Sequence, residues 1–352
     1  MIVFVAPFPA LADEKDGLIQ RVASIDSLVS NQPRVYLDIS FRRFWFKRIH
    51  HIGEATVFQL NGLLHFFIII AWIKKANIVY IHSVFNALKA LSAYWITKPI
   101  TDLHGAVPEE LIYQGYRGRA KLYGIVEQIA LRRSANVIYV TSAMKRHFQQ
   151  KYESIFADDL TIAILPNLLD ARNQGDNILT VARDPKAVVY AGGLQDWQNI
   201  SMMLNAAADA PKFHFLWLTG EPETLQRLAE LKNIVHFTCT SVAPDKVADH
   251  YLTSTYGFVL RDPVLLNQVA CPTKLVEYMH WGVIPIILTS AIGDFAEFGF
   301  AYVTLDDFRL GTLPDNITAA NMREINQRIV TKMVTLSKTE IVKLRQLLLC
   351  AN

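Results

Sequence analysis

The sequence predicts an α/β protein of two domains, each a doubly wound parallel sheet flanked by helices. Three observations carry that prediction. The chain has 352 residues, and roughly 150 residues per domain favours two domains over one. Short β-branched runs alternate with helical patterns throughout. The runs are nearly continuous in apolar residues, as in strands covered on both faces. That rhythm breaks once, at 168–185, in a stretch rich in Asp, Asn, Arg and Gly, and then restarts. A regular strand–helix–strand order implies parallel strands, whose ligands gather at the carboxyl ends.

In chain order, the first half is expected to place strands at 2–6, 34–39, 56–60, 78–81, 99–103, 137–140 and 161–165. Helices are expected at 17–30, 62–74, 85–95, 119–133 and 143–152. The apolar start at 2–6 reads as a buried strand and not as a signal peptide, because no basic segment precedes it and Asp13, Glu14 and Asp16 follow at once. The greasiest stretch, 63–73, falls short of the ~20 apolar residues that span a bilayer. The second half repeats the pattern, with strands at 187–191, 213–218, 234–237, 257–260, 283–288 and 301–305. Its helices are expected at 197–209, 223–231, 244–252, 272–281 and 319–349. The domains are therefore placed at 1–168 and 169–334, with a C-terminal helix at about 335–352 able to pack back on the first.

Composition narrows the class. Hydrophobic residues are 51% and charged residues 19%, against ~25% charged in an ordinary soluble domain. Disordered and low-complexity classes are excluded. A net charge of only +3 means that any basic binding surface arises from local clustering. Cys239, Cys271 and Cys350 lack metal-like spacing. A reducing cytoplasm is the expected compartment, and no metal or cofactor is expected.

The richest segment runs from Gly257 to Pro285: a strand, a polar loop with Arg261, Asp262 and Asn267, a helix opened by Pro272, and a stop at Gly282. Proline suits the first helical turn, whose N–H needs no partner. Thr273 and Lys274 then sit at a helix N-terminus, where free N–H groups favour an anion. With Arg261 they make a candidate diphosphate cradle. Glu277, one turn after Lys274, is a candidate ribose ligand, although Lys and Glu at that spacing are also an ordinary surface pair. Gly192-Gly193, followed by Gln195 and Trp197, forms a glycine-rich turn after a strand, either a phosphate-approach turn or a plain βα connection. Asp102 and His104 lie two residues apart at a strand end, where a carboxylate can hold an imidazole's tautomer. A structural histidine is the other reading of His104, and more so of His82.

Together these segments resemble GT-B glycosyltransferases, in particular family 4-like enzymes of bacterial surface-polysaccharide (capsule or O-antigen) biosynthesis. The family pattern Pro–Ser/Thr–Lys–x–x–Glu–Tyr–x–x–x–Gly–x–x–Pro is matched by Pro272, Thr273, Lys274, Glu277, Tyr278, Gly282 and Pro285. The Gly192-Gly193 turn, the His104-Gly105 turn and the Leu165-Pro166-Asn167 junction match as well. The resemblance implies two Rossmann-like domains facing a central cleft. It also implies a UDP- or GDP-linked sugar donor as co-substrate and transfer with retention. Arg261 and Lys274 would stabilise the leaving diphosphate and Glu277 the ribose, with Gly192, Gly193, Gln195, Trp197 and Thr273 lining the donor site. His104, Asp102 and Asp16 would stand at the reacting centre, and Asn267 and His82 near the donor sugar. One departure stands out. Many members carry two glutamates eight positions apart, the first touching the donor sugar; counting back eight from Glu277, that first position is Val269 here. Asn267, Asp262 or loop amides are the available substitutes.

The segment 41–51 interleaves Arg42, Arg43, Lys47 and Arg48 with aromatics including Trp45 and contains no acid. Such a stretch suits a lipid headgroup interface, or else a half-buried helix. A second basic strip holds Arg117, Arg119, Lys121, Arg132 and Arg133, offset by Glu127. With Gly17 these imply an acceptor and membrane side on the N-terminal domain. The expected partners are a lipid-linked glycan, the inner face of the cytoplasmic membrane, and other polysaccharide-assembly enzymes. Nucleic acid is not expected. Other classes fit less well, since the chain lacks a G-x-G-x-x-G after its first strand, a P-loop and a D-x-D. A nonhydrolysing sugar-nucleotide epimerase and a non-catalytic scaffold subunit remain as alternatives.

Overall fold

The computed structural model describes residues 1–9, 17–153, 160–161, 178 and 181–349. The chain divides into two compact units, one of Met1–Ile164 with Leu336–Asn352 and the other of Leu165–Thr335. Asp16, the 165–167 junction and most of the 168–185 break lie outside the described residues, as does all but Thr161 of the strand expected at 161–165.

The first unit contains β1 (Ile2–Val5), β2 (Arg34–Ser40), β3 (Arg48–Ile52), β4 (Ala55–Asn61), β5 (Ile78–His82), β6 (Ile100–Leu103), β7 (Asn136–Tyr139) and β8 (Leu160–Thr161). They form one sheet in the order β3-β4-β2-β1-β5-β6-β7-β8. Every described pairing is parallel except β3 with β4. The order reverses at β1, so the carboxyl ends of β1 and β5 flank the switch point where such sheets bind ligands. The core stacks Phe4 on Tyr36, with ring centroids 5.0 Å apart, among buried Val22, Ile25, Val57, Tyr80 and Ile138.

The structure corrects the helical reading of 41–51. Residues 41–47 form a loop and β3 is an exposed antiparallel edge strand. Local polar chemistry turns the chain outward: Ser40 Oγ accepts from the Arg42 and Arg43 amides at 3.3 and 3.1 Å. The helix expected at 62–74 starts late, at Phe66. Asn61 Oδ1 accepts from the Leu63 and Leu64 amides and holds those residues in a turn. The helix expected at 85–95 divides into Ser83–Lys89 and Ala93–Ile96.

The second unit contains β9 (Asp184–Ala191), β10 (His214–Leu218), β11 (Phe237–Thr240), β12 (Ser254–Val259), β13 (Ile284–Ile287) and β14 (Val303–Thr304). Their order is β11-β10-β9-β12-β13-β14, all described pairs being parallel. The switch point lies between β9 and β12. The strand expected at 234–237 begins later because Asn233 and His236 take positive φ and prolong the turn. The strand expected at 301–305 is short because Thr304 caps a helix over Leu305–Leu310, its Oγ1 accepting from the Asp307 amide at 3.0 Å. The helix expected at 197–209 breaks at Asn199, φ 56°, into a 3-10 turn over Asp196–Gln198 and a helix over Ile200–Ala208. The final helix, Asn316–Leu349, starts in this unit and ends in the first, where Leu344 and Leu348 join the core beside Phe4 and Tyr36.

Candidate active site

In the second unit β9 ends at Ala191 and runs into Gly192, which has φ +153°. A Cβ there would lie 2.8 Å from Lys274 Nζ. Only glycine lets that ammonium rest against the turn. Lys274 belongs to the helix Thr273–His280, which Pro272 opens with φ −65°. Its side chain is buried, with Nζ 3.7 Å from the Tyr190 ring centroid and 3.2 Å from Gln198 Oε1. A cation held by a ring face and one amide oxygen retains N–H donors for an anion. Burial, reinforced by Arg261, pushes the ammonium's pKa well below its ordinary value.

Arg261 follows β12. Its Nη1 donates to Asn267 Oδ1 at 3.0 Å, while its buried Nε has no hydrogen-bond partner among the described residues. Burial lowers its pKa to about 10. Asn267 is fully buried, and its amide donates to the Asp262 carbonyl at 2.9 Å. Asn267 therefore braces Arg261, with its amide engaged on both sides. Val269 is buried core. Glu277 accepts from the Tyr251 hydroxyl at 2.9 Å, and burial raises its carboxyl to about 7. Among the described residues no ion pair joins it to Lys274, so the two residues on one helix face have separate partners. Thr273 and Trp197 are half-buried and Gln195 is exposed. A Cβ on Gly193 would meet the Gln195 amide at 2.6 Å.

In the first unit a buried charge network fills the carboxyl ends of β5 and β6. Asp102 accepts from Arg21 Nε and Nη2, each at 3.0 Å, and from the Tyr80 hydroxyl at 2.8 Å. Burial alone would raise Asp102; Arg21, then His104, outweigh it and hold the carboxyl well below the usual range. His104 Nε2 lies 3.3 Å from Asp102 Oδ2. That contact places the proton on Nε2 and leaves Nδ1, buried and without a partner among the described residues, as an acceptor. His82 is fully buried, with Nδ1 3.6 Å from Asp102 Oδ2 and 3.4 Å from His104 Nε2. Burial pushes it well below its ordinary pKa, so it is neutral. Ser83, next to it, has φ 66°, an uncommon conformation for a residue with a Cβ.

His82, Asp102 and His104 present ligand atoms within 4.8 Å of one another. The donor set fits a dication poorly. Both carboxylate oxygens already accept from a guanidinium, whose charge would oppose the ion.

Arg21 and Tyr80 were not anticipated from the sequence, nor were Tyr190, Gln198 and Tyr251 as partners of the cradle. Arg21 had a signal: it shares the core-facing spacing of Leu18, Val22 and Ile25, where a cation requires a buried partner. Gly17 opens that helix. Arg42, Arg43, Trp45, Lys47 and Arg48 are all exposed in the 41–48 segment. Glu127 does not offset the second basic strip at the surface. It is fully buried and bound to Lys151 and Tyr152 at 2.6 and 2.7 Å. A cavity of ≈ 410 Å³ opens at the amino ends of β9 and β12, lined by Arg183, Lys186, Lys212, Tyr256 and Arg323. Arg183 is occupied there by the carbonyls of Ile178, Tyr251, Ser254 and Trp281. This cavity lies at the opposite sheet edge from Lys274 and is not the candidate site.

The architecture, two α/β units each built on a parallel sheet, is that of the GT-B glycosyltransferases. Sucrose-phosphate synthase from Thermosynechococcus elongatus superposes with TM-score 0.69 at 13% identity, over 100% of both chains. An α,α-trehalose-phosphate synthase (UDP-forming) from Burkholderia vietnamiensis gives 0.64 at 10% identity, covering 100% of this chain and 98% of that one. Anabaena HepE, solved in complex with UDP-glucose, gives 0.62 at 14% identity over 97% and 98%. No protein-family model matches the sequence, and no curated protein matches it.

Proposed function

We propose that this protein is a glycosyltransferase that takes a sugar from a nucleotide-sugar donor, UDP- or GDP-linked, and passes it to a lipid-linked or growing surface glycan. The observation that carries the proposal is the pairing of buried Lys274, resting against the Gly192 turn, with half-buried Arg261, two desolvated basic side chains that form no ion pair with a carboxylate among the described residues. Such cations stabilise the negative charge that develops on a departing diphosphate, without a metal. Glu277 binds the ribose hydroxyls. His104, oriented through Nε2 by Asp102, accepts a hydroxyl of the transferred sugar at Nδ1. His82 stays neutral behind it. Retention at the anomeric carbon and family 4-like surface-polysaccharide assembly follow from the motif resemblance. The basic aromatic segment supports a peripheral position on the inner face of the cytoplasmic membrane, alongside other assembly enzymes.

Substituting Lys274→Ala is expected to weaken binding of UDP or GDP by about 10²-fold or more and nearly abolish transfer. Thermal-shift titration and a transfer assay read the two effects; unchanged binding and turnover would sink the proposal. A soluble sugar phosphate as acceptor is the second reading, supported by the names of the two synthases. Release of nucleoside diphosphate on adding a sugar phosphate, without lipid, would favour it.

A further inference from the structure

We infer that the first unit carries a surface that seats on an anionic lipid bilayer, built jointly by the loop 41–47 and the corner 63–67. The inference deepens the acceptor half of the proposed function and rests on that reading for its purpose. Its physical test needs neither donor nor transfer.

One side chain joins the two segments. Asn61, the last residue of β4, donates through Nδ2 to the carbonyls of Phe41 and Arg43 at 3.4 and 3.1 Å. Its Oδ1 accepts from the amides of Leu63 and Leu64 at 3.0 and 3.2 Å. Gly62 lets the Phe41 ring close over the junction, since a Cβ there would stand 2.6 Å from it. The apolar residues on this ledge point to solvent: Trp45 is 66% exposed, Phe46 84%, Leu63 74% and Phe67 83%. The helix that follows, Phe66–Lys75, buries only Ile69 and Ile73. Adjoining large side chains this exposed mark a surface that meets something apolar.

Charge selects the occupant. Between Ser40 and Thr101 the chain has eight Lys or Arg and one acid, Glu54. Glu54 sits in the β3–β4 turn, at the far end of β4 from Asn61. Arg42, Arg43, Lys47 and Arg48 flank the aromatics, the combination that suits a headgroup layer of negative charge. A two-fold contact with another copy would oppose these cations to themselves.

Topology places the ledge usefully. The loop follows the carboxyl end of β2, and the corner follows that of β4. Both strands run parallel to β5 and β6, so the ledge shares a sheet edge with His82 and His104. Four strand spacings separate β4 from β6, about 19 Å at ~4.8 Å each. A glycan carried on a lipid headgroup can extend over that distance to His104.

Sedimentation with vesicles tests the inference on the full chain. Wild type should bind phosphatidylcholine–phosphatidylglycerol vesicles at least about tenfold more tightly than phosphatidylcholine alone, and salt should remove the difference. Phe46→Ser with Phe67→Ser should lower binding about tenfold, with an unchanged melting temperature because both rings are exposed. Arg42→Gln, Arg43→Gln and Lys47→Gln together should erase the preference for anionic lipid. Failure of the wild type to bind vesicles would overturn the inference. So would variants that bind as well as wild type, or a solution dimer that the double Phe variant splits. Loss of nucleotide recognition would instead appear only in UDP or GDP titrations, which separates the two failures.

Discussion

Lys274 is buried against a tyrosine ring, and burial, reinforced by Arg261, favours its neutral form. A diphosphate placed beside it supplies the missing opposite charge and raises its pKa. Between the free and bound values, binding takes up a proton. Affinity for UDP or GDP should therefore fall as pH rises from neutrality into the alkaline range. Calorimetry above neutrality, in buffers of differing ionisation enthalpy, should show net proton uptake; heats independent of buffer would contradict this reading. The placement of Lys274 and Glu277 was legible in the sequence because a helix opened by proline has a known polarity, and that of Arg261 because it follows the end of a strand. Their partners were not. Tyr190, Gln198 and Tyr251 come from other elements, and only packing brings a ring face to an ammonium. Asn267 shows the limit most clearly: a polar residue in a binding loop is equally suited to hold a ligand or to hold the arginine that does.

Among elements, β12 and the Thr273–His280 helix are pressed together at Gly257. A Cβ there would come 2.4 Å from the Tyr278 ring, whose hydroxyl donates to the Val189 carbonyl on β9 at 3.2 Å. Gly257→Ala should destabilise the protein by about 1–3 kcal/mol through overpacking, measured by urea unfolding. An unchanged midpoint would mean that the helix shifts freely, and with it Lys274. Element type was readable for most of both sheets because a doubly covered parallel strand is a continuous apolar run. Boundaries failed where a polar side chain captured the backbone, as Asn61 and Thr304 do. β3 was missed because its outward residues, Arg48 to Ile52, are all exposed. An edge strand without a buried face leaves no apolar pattern to read.

For the molecule as a whole, the Asn316–Leu349 helix begins in one unit and completes the core of the other. Leu344→Ala should cost about 2–5 kcal/mol. The loss should appear as faster amide exchange in β1 and β2 of the first unit, whose core Leu344 shares. Protection unchanged in those strands would show that the helix end is dispensable. By itself the sequence determined the two α/β units and the placement of Lys274 and Glu277 on the first turns of a proline-opened helix in the second. Those properties follow from local periodicity and helix-terminus chemistry, which neighbours in the chain fix. Only the tertiary structure decided that Arg21 neutralises Asp102, that Asn267 braces Arg261, and that residues 41–47 and 63–67 form one exposed ledge. Each of these joins side chains from separate elements, and periodicity along a chain carries no information about which elements will meet.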